Sequence, residues 1–248
     1  MAKLLNILFL MAALLFAAEL HAAQIQKVRF GIEPTYPPFE FIDASGKTQG
    51  FDIEIARAIC KNLNATCEFN NQTFASLIPS LKLGKFDAII SALDTTEERI
   101  KQIDFTKPYY QPSGNYVGLK GASLKTLTNS SVGVQQGSTF EHYLKDTYGR
   151  QLTIKTYSSI QDAFLDLTSG RINFVLADSP IAHTWLKDNS EKFSIVDAPI
   201  TGEKYFGNGY AIAVKKNNEE LLAAMNKALQ DIKTSGEYQR IYNKYFGS

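Results

Sequence analysis

Six consecutive residues, Lys27-Val28-Arg29-Phe30-Gly31-Ile32, alternate polar and apolar side chains, the period-two pattern of a β-strand. Pro34, Pro37 and Pro38 then exclude a helix, so the next segment reads as an ordered loop with a turn at 43–47. Apolar positions recur at helical spacing over 51–63, and Asn62 and Asn64 break the pattern before a strand at 66–70. A short helix over 75–83 carries Pro79 near its start and Gly84 near its end. Residues 86–91 are almost continuously apolar, as expected of a strand covered on both faces of a parallel sheet.

The same plan restarts after residue 130. Strands are expected at 131–135, 153–157 and 172–177, and helices at 138–145, 159–169 and 180–187. A strand at 210–214 follows Phe206-Gly207-Asn208-Gly209, and helices at 218–232 and 237–245 close the chain. Pro108 to Gly114 cannot be a helix interior and lies between the halves. Alternating strands and helices predict an α/β fold with parallel sheets, and the repeated plan suggests two lobes.

Residues 1–23 stand outside this pattern. Lys3, an apolar stretch of about 15 residues interrupted by Asn6, and small residues at Ala22 and Ala23 describe a cleaved secretory signal peptide. About 20 apolar residues are needed to span a bilayer, so a retained anchor fits less well. The expectation is an exported protein of the periplasm, cut after Ala22 or Ala23. Cys60 and Cys67 are seven positions apart. A continuous helix would separate them by about 10.5 Å along its axis, so a bridge requires the chain to turn between them, as Asn62 and Asn64 allow. An oxidising compartment favours that bridge over two separate buried thiols.

Composition narrows the function by exclusion. Lys plus Arg is 26 and Asp plus Glu is 25, a net charge of +1 that gives no electrostatic case for nucleic acid. Three His and two Cys in no ligand spacing argue against a metal, and nothing suggests a cofactor. No hydrolase elbow, phosphate-binding loop or zinc-protease motif occurs. Polar residues gather instead where strands are expected to end: Ser91 and Asp94, Gln135 to Thr139, and Asp178. In open α/β sheets those ends are where ligands bind.

In order and at matching spacing, several segments resemble the periplasmic solute-binding proteins of ABC importers for polar and basic amino acids. They are Gly31 to Glu40, Gly50-Phe51-Asp52-Ile53-Glu54, Ser76 to Leu81, Lys85 to Ser91, Thr96-Glu97-Glu98-Arg99, Gly133 to Thr139, Gly170-Arg171-Ile172 and Gly236-Glu237-Tyr238. The resemblance covers essentially the whole chain after the leader. It implies the two-lobe periplasmic binding protein fold (type II), with parallel-rich sheets flanked by helices and two crossover hinge strands. Lobe 1 would comprise 24–110 and 211–248, and lobe 2 would comprise 111–210 with hinge segments at both ends. It also implies a monomer without enzymatic activity, partnered by a membrane permease. Cys60 and Cys67 match a bridge found in the branch that binds histidine and basic amino acids.

The same resemblance assigns ligand contacts. Arg99 would grip the α-carboxylate as a bidentate fork, with the Thr139 N–H at a helix start as a second donor. Asp178 would meet the α-ammonium, although it also suits a cap for the helix entered at Pro180. Ser91 and Ala92 would contribute backbone. Tyr36 and Phe74, core aromatics by default, would flank the ligand side chain. Glu33, a loop acid by default, would meet a distal positive charge with Gln135 beside it. Asp94 replaces a hydroxyl residue and fits either end of the ligand. Together these imply L-arginine first, then lysine, ornithine and histidine. Two alternatives remain: an exported enzyme on this fold such as cyclohexadienyl dehydratase, and an amino acid sensor or adhesin.

Overall fold

The structure, a computed structural model, describes residues 25–247; the expected leader and its cleavage point lie outside the described residues. Two five-stranded sheets build two α/β lobes. The first has the order Thr66–Asn71, Lys27–Ile32, Ala88–Ile89, Ala213–Lys215, Ile103–Phe105. Its first three strands are parallel, and Ala213–Lys215 enters antiparallel to both neighbours. The second has the order Thr153–Tyr157, Ser131–Gln135, Phe174–Asp178, Gly114–Leu119, Phe193–Ile200. Here Gly114–Leu119 runs antiparallel to the strands on either side. A small sheet of Thr35–Tyr36, Glu40–Ile42 and Thr48–Gln49 is attached to the first lobe.

Burial follows from the apolar faces of the elements. Helix Phe51–Asn62 buries Phe51, Ile53, Ile55, Ala56 and Ile59 with Val28, Phe30 and Ile32 of the first strand. Leu77 and Leu81 of helix Leu77–Lys82 pack with Phe86, Ile89 and Leu93 in a separate cluster. In the second lobe, Phe164 of helix Ile160–Thr168 stacks on Trp185 of helix Ser179–Asn189, with ring centroids 4.5 Å apart. Phe140, Leu144, Val132 and Val134 form a further cluster. Thr66–Asn71 returns beside Lys27–Ile32, which brings Cys60 and Cys67 to a Cα–Cα distance of 5.9 Å as a disulfide. Among the described residues, no helix is long and apolar enough to cross a membrane.

The chain passes between the sheets twice. After Phe105 it crosses to Gly114, and after Ile200 it returns to Ala213. The two passages touch at Tyr110 and Tyr210, which form an antiparallel bridge and stack their rings 5.5 Å apart. Gly207 lies beside Thr95 at a φ of 55°, and a Cβ there would sit 2.0 Å from the Thr95 carbonyl oxygen. Only glycine admits that approach. The last helix, Glu237–Phe246, lays Tyr242 and Phe246 against Tyr110. Its Tyr238 hydroxyl donates to the Tyr109 carbonyl at 2.5 Å.

Candidate functional site

Strand ends from both lobes converge between the sheets. Glu33 directly follows Lys27–Ile32, Ser91 to Asp94 follow Ala88–Ile89, and Gln135 and Asp178 end their strands. Thr139 opens the helix Thr139–Tyr148, which Ser138 caps by accepting the Glu141 N–H. Every one of these side chains is buried. The sequence therefore placed its candidates where strand termini would gather them, and the structure does gather them.

Arg99 lies in the one-turn helix Glu97–Ile100, capped by Thr96. Its guanidinium donates to the Asp94 carbonyl at 3.1 Å and, across to the second lobe, to the Gly137 carbonyl at 3.0 Å. Phe74 stacks on this guanidinium at 5.5 Å, so its partner here is Arg99. Asp94 is 3.9 Å from Arg99 through Oδ2, and the same oxygen accepts the Thr139 hydroxyl at 2.7 Å. Its other oxygen, Oδ1, is buried without a donor. Burial pushes the Asp94 carboxyl up to about 8 even with Arg99 beside it. Asp94 thus stands with Arg99 and Thr139 and also feels Asp178.

Asp178 is the N-cap residue of helix Ser179–Asn189, yet its side chain caps nothing. Its two oxygens accept the hydroxyls of Tyr36 and Tyr210 instead. Burial raises its pKa to about 6, and the two phenol donors oppose the rise. Glu33 sits apart from this group. Its carboxylate accepts the Thr35 hydroxyl and, from the second lobe, the Gln135 amide at 3.3 Å. Burial raises it to about 7, and the charged neighbour felt there is another acid, Asp162. Ser91 Oγ accepts the Glu33 N–H at 3.1 Å and donates to Glu40 at 2.6 Å. Ala92 turns the chain with a φ of 42°.

Four polar participants were not foreseen. Tyr210 and Thr35 hold Asp178 and Glu33, and Glu40 and Asp52 lie under Ser91 and Ala92. Glu40 and Asp52 did stand inside the motif segments, which was the available signal. Tyr210 had only its place after Gly209. Chemically, the site sets three buried carboxyls, Glu33, Asp94 and Asp178, against one buried guanidinium. Such a set is short of positive charge, so a ligand with one carboxylate for Arg99 and two separated cations suits it better than an anion does. Among the described residues, no group of three or more His, Cys, Asp or Glu is arranged to hold a metal ion.

Comparison with known proteins supplies the context. The family model described as bacterial extracellular solute-binding proteins, family 3, matches residues 28–248. The ABC transporter arginine-binding protein 1 of Escherichia coli K12 is 41% identical over 238 residues, which is 95% of this chain and 97% of that protein. A Salmonella typhimurium periplasmic binding protein described for its high arginine specificity superposes with a TM-score of 0.86 at 41% identity. That match covers 89% of this chain and 99% of the other. An ancestral amino acid-binding protein described as a precursor of cyclohexadienyl dehydratase gives a TM-score of 0.80 at 32% identity, covering 89% and 95%.

Proposed function

The chain belongs to the bacterial extracellular solute-binding proteins, family 3, and within that family we propose that it captures a basic L-amino acid, arginine first, and delivers it to the permease of an ABC importer. One observation carries the reading. Arg99, Asp94, Thr139 and Asp178 form one polar group with a cation in it, while Glu33 is buried separately, where the charge felt among the described residues is another acid, Asp162. The first group matches the zwitterionic end common to amino acids. The isolated carboxyl matches a distal guanidinium or ammonium, which would take the charge that burial makes costly.

In this reading Arg99 and the Thr139 N–H hold the α-carboxylate, and Asp178 holds the α-ammonium with Asp94 as a second acid. Glu33, with Gln135, holds the distal cation, and Tyr36 lies beside the ligand stem. Ser91 and Ala92 supply backbone. Lobe 1 is 24–110 with 211–248, lobe 2 is 111–210, and the passages at Tyr110 and Tyr210 are the hinge. Residues 1–23 direct export to the periplasm and are removed. The relatives named as arginine-binding proteins support this choice of ligand.

An exported dehydratase on this fold is the second reading, prompted by the likeness to the precursor of cyclohexadienyl dehydratase. The excess of acids over cations in the site disfavours an anionic substrate of that kind. Calorimetry of refolded, ligand-stripped protein decides between them. Saturable arginine binding, weaker for neutral amino acids and without consumption of prephenate, is the expected result. Absence of arginine binding refutes the proposal.

A further inference from the structure

Two carboxyls that the ligand chemistry does not use meet beneath Ser91 and Ala92. Glu40 lies on the strand Glu40–Ile42 and Asp52 in the first turn of Phe51–Asn62, and neither is exposed by more than 1%. Gly50 makes their approach feasible. At a φ of 128° it packs so closely on the Phe39 carbonyl that a Cβ would lie 2.1 Å from its oxygen. Glu40 Oε1 accepts the Ser91 hydroxyl at 2.6 Å, and Asp52 Oδ2 accepts the Ala92 N–H at 2.7 Å. The remaining oxygens, Glu40 Oε2 and Asp52 Oδ1, are fully buried and take no hydrogen bond from any N–H among the described residues, while the buried Tyr109 hydroxyl faces Asp52. The two carboxyls are neighbours: Asp52 raises the pKa of Glu40, and Glu40 opposes the rise that burial causes in Asp52.

With only the neutral Tyr109 hydroxyl beside them and no cation, two neighbouring buried carboxyls are tolerable only if one of them carries a proton. The titratable groups facing the pair are Glu33, Asp178 and the phenols of Tyr36, Tyr109, Tyr110 and Tyr238, none of which is a cation. We propose that Glu40 and Asp52 share a single proton, with Glu40 as donor and Asp52 as the anionic acceptor, and that this pair is the positioning device that holds the Ser91–Ala92 turn. Desolvation favours the same division, raising Glu40 well above the carboxylate range and Asp52 to about 7. Ala92 needs such a hold, because its left-handed backbone is unfavourable for a residue with a Cβ. The Asp52 carboxylate fixes that conformation through the Ala92 N–H, and Glu40 fixes Ser91, whose Oγ in turn orders the Glu33 backbone. The turn thereby links both ends of the amino acid site, resting on the cleft reading above for what it contacts.

The experiment has two arms. Difference infrared spectroscopy of the full chain at neutral pH, with no amino acid added, should show protonated-carboxyl absorption, to which Asp94 and Glu33 also contribute, with one component lost in Glu40→Gln. An unchanged band overturns the shared proton. The second arm is a double-mutant cycle in arginine affinity. Glu40→Gln keeps both hydrogen bonds, because an amide N–H replaces the carboxyl O–H, and affinity should stay within about threefold. Combined with Asp52→Asn, two amide donors face each other, and the loss should exceed the product of the single effects by on the order of tenfold. A double variant that equals that product overturns the positioning role. Because the infrared arm needs no ligand, its failure counts against the shared proton alone, whereas wild-type protein that ignores arginine counts against the proposed function.

Discussion

Tyr36 donates its hydroxyl to Asp178 although 142 residues separate the two and they belong to opposite lobes. The same carboxylate takes the hydroxyl of Tyr210 from the returning passage. Asp178 is therefore the point where both lobes and the connection between them meet. A ligand ammonium entering there offers a full charge in place of neutral phenol donors, and hydrogen bonds to charged groups are roughly twice as strong. Asp178→Asn preserves the shape and removes the charge. Affinity for every amino acid ligand should fall at least about a hundredfold, since a charge-assisted bond contributes roughly 1.5–3 kcal/mol and an unpaired ligand charge costs more. Calorimetry beside an unchanged circular dichroism spectrum checks this.

Arg99 reaches two carbonyls, one in each lobe, with one planar fork. Lysine cannot span both with a single ammonium. Arg99→Lys and Arg99→Ala should then both lower affinity for all amino acids by about a hundredfold or more. Recovery of near wild-type binding in Arg99→Lys would show that only the charge matters.

Glu33 gives a pH dependence of known sign. Burial holds it near 7, so at lower pH it must release a proton before it can pair with a cation. Arginine affinity divided by glutamine affinity should decline about tenfold from pH 8 to pH 6. Both ligands share the α-amino acid end, so the ratio isolates the distal group. Glu33→Gln should flatten the ratio and lower it. Equal loss for both ligands would make Glu33 structural.

Stability without ligand should move the other way. Glu33 and Asp178 hold their protons to about 7 and about 6 in the folded protein, above their unfolded values. Wherever the folded state binds more protons, stability falls as pH rises. That contribution is complete below about pH 4 and is lost by about pH 7. Scanning calorimetry of stripped protein should show Tm decreasing from pH 5 to pH 8, with arginine opposing the decrease. A Tm that rises across this window would contradict the burial of these acids.

The Cys60–Cys67 bridge closes a short loop between helix Phe51–Asn62 and strand Thr66–Asn71. Such a loop contributes roughly 2–3 kcal/mol in the chain-entropy model. Replacing both cysteines with serine should lower Tm by several degrees and leave arginine affinity nearly unchanged, because the bridge lies away from the cleft residues. Free thiols in exported protein would refute the bridge.

Much of the first lobe was legible because period-two and helical patterns are local. The strand expected at 86–91 is reduced to Ala88–Ile89, since the chain must leave the ladder to make the Ala92 turn. Gly114–Leu119 went unread, as Gly114, Asn115 and Gly118 interrupt its alternation and antiparallel neighbours supply its pairing. The strands Thr35–Tyr36 and Thr48–Gln49 are too short to show any period. The site residues were named largely by family spacing, whereas their partners were not. That Tyr36 and Tyr210, 142 and 32 residues away, claim Asp178 in place of a helix end depends on contacts distant in sequence. No local pattern encodes such contacts.

The strand Ala213–Lys215 sits between Ala88–Ile89 and Ile103–Phe105, so the first sheet is bridged by residues near the end of the chain. The second sheet needs only residues 114–200. A ribosome delivers the chain from its N-terminus, and it follows that the second lobe has its full complement of strands before the first. Until Ala213–Lys215 emerges, Ala88–Ile89 presents an unpaired edge, and the aromatic helix Glu237–Phe246 is still missing from the hinge. The order of the segments thus leaves the first sheet open at Ala88–Ile89 after every strand of the second has been made.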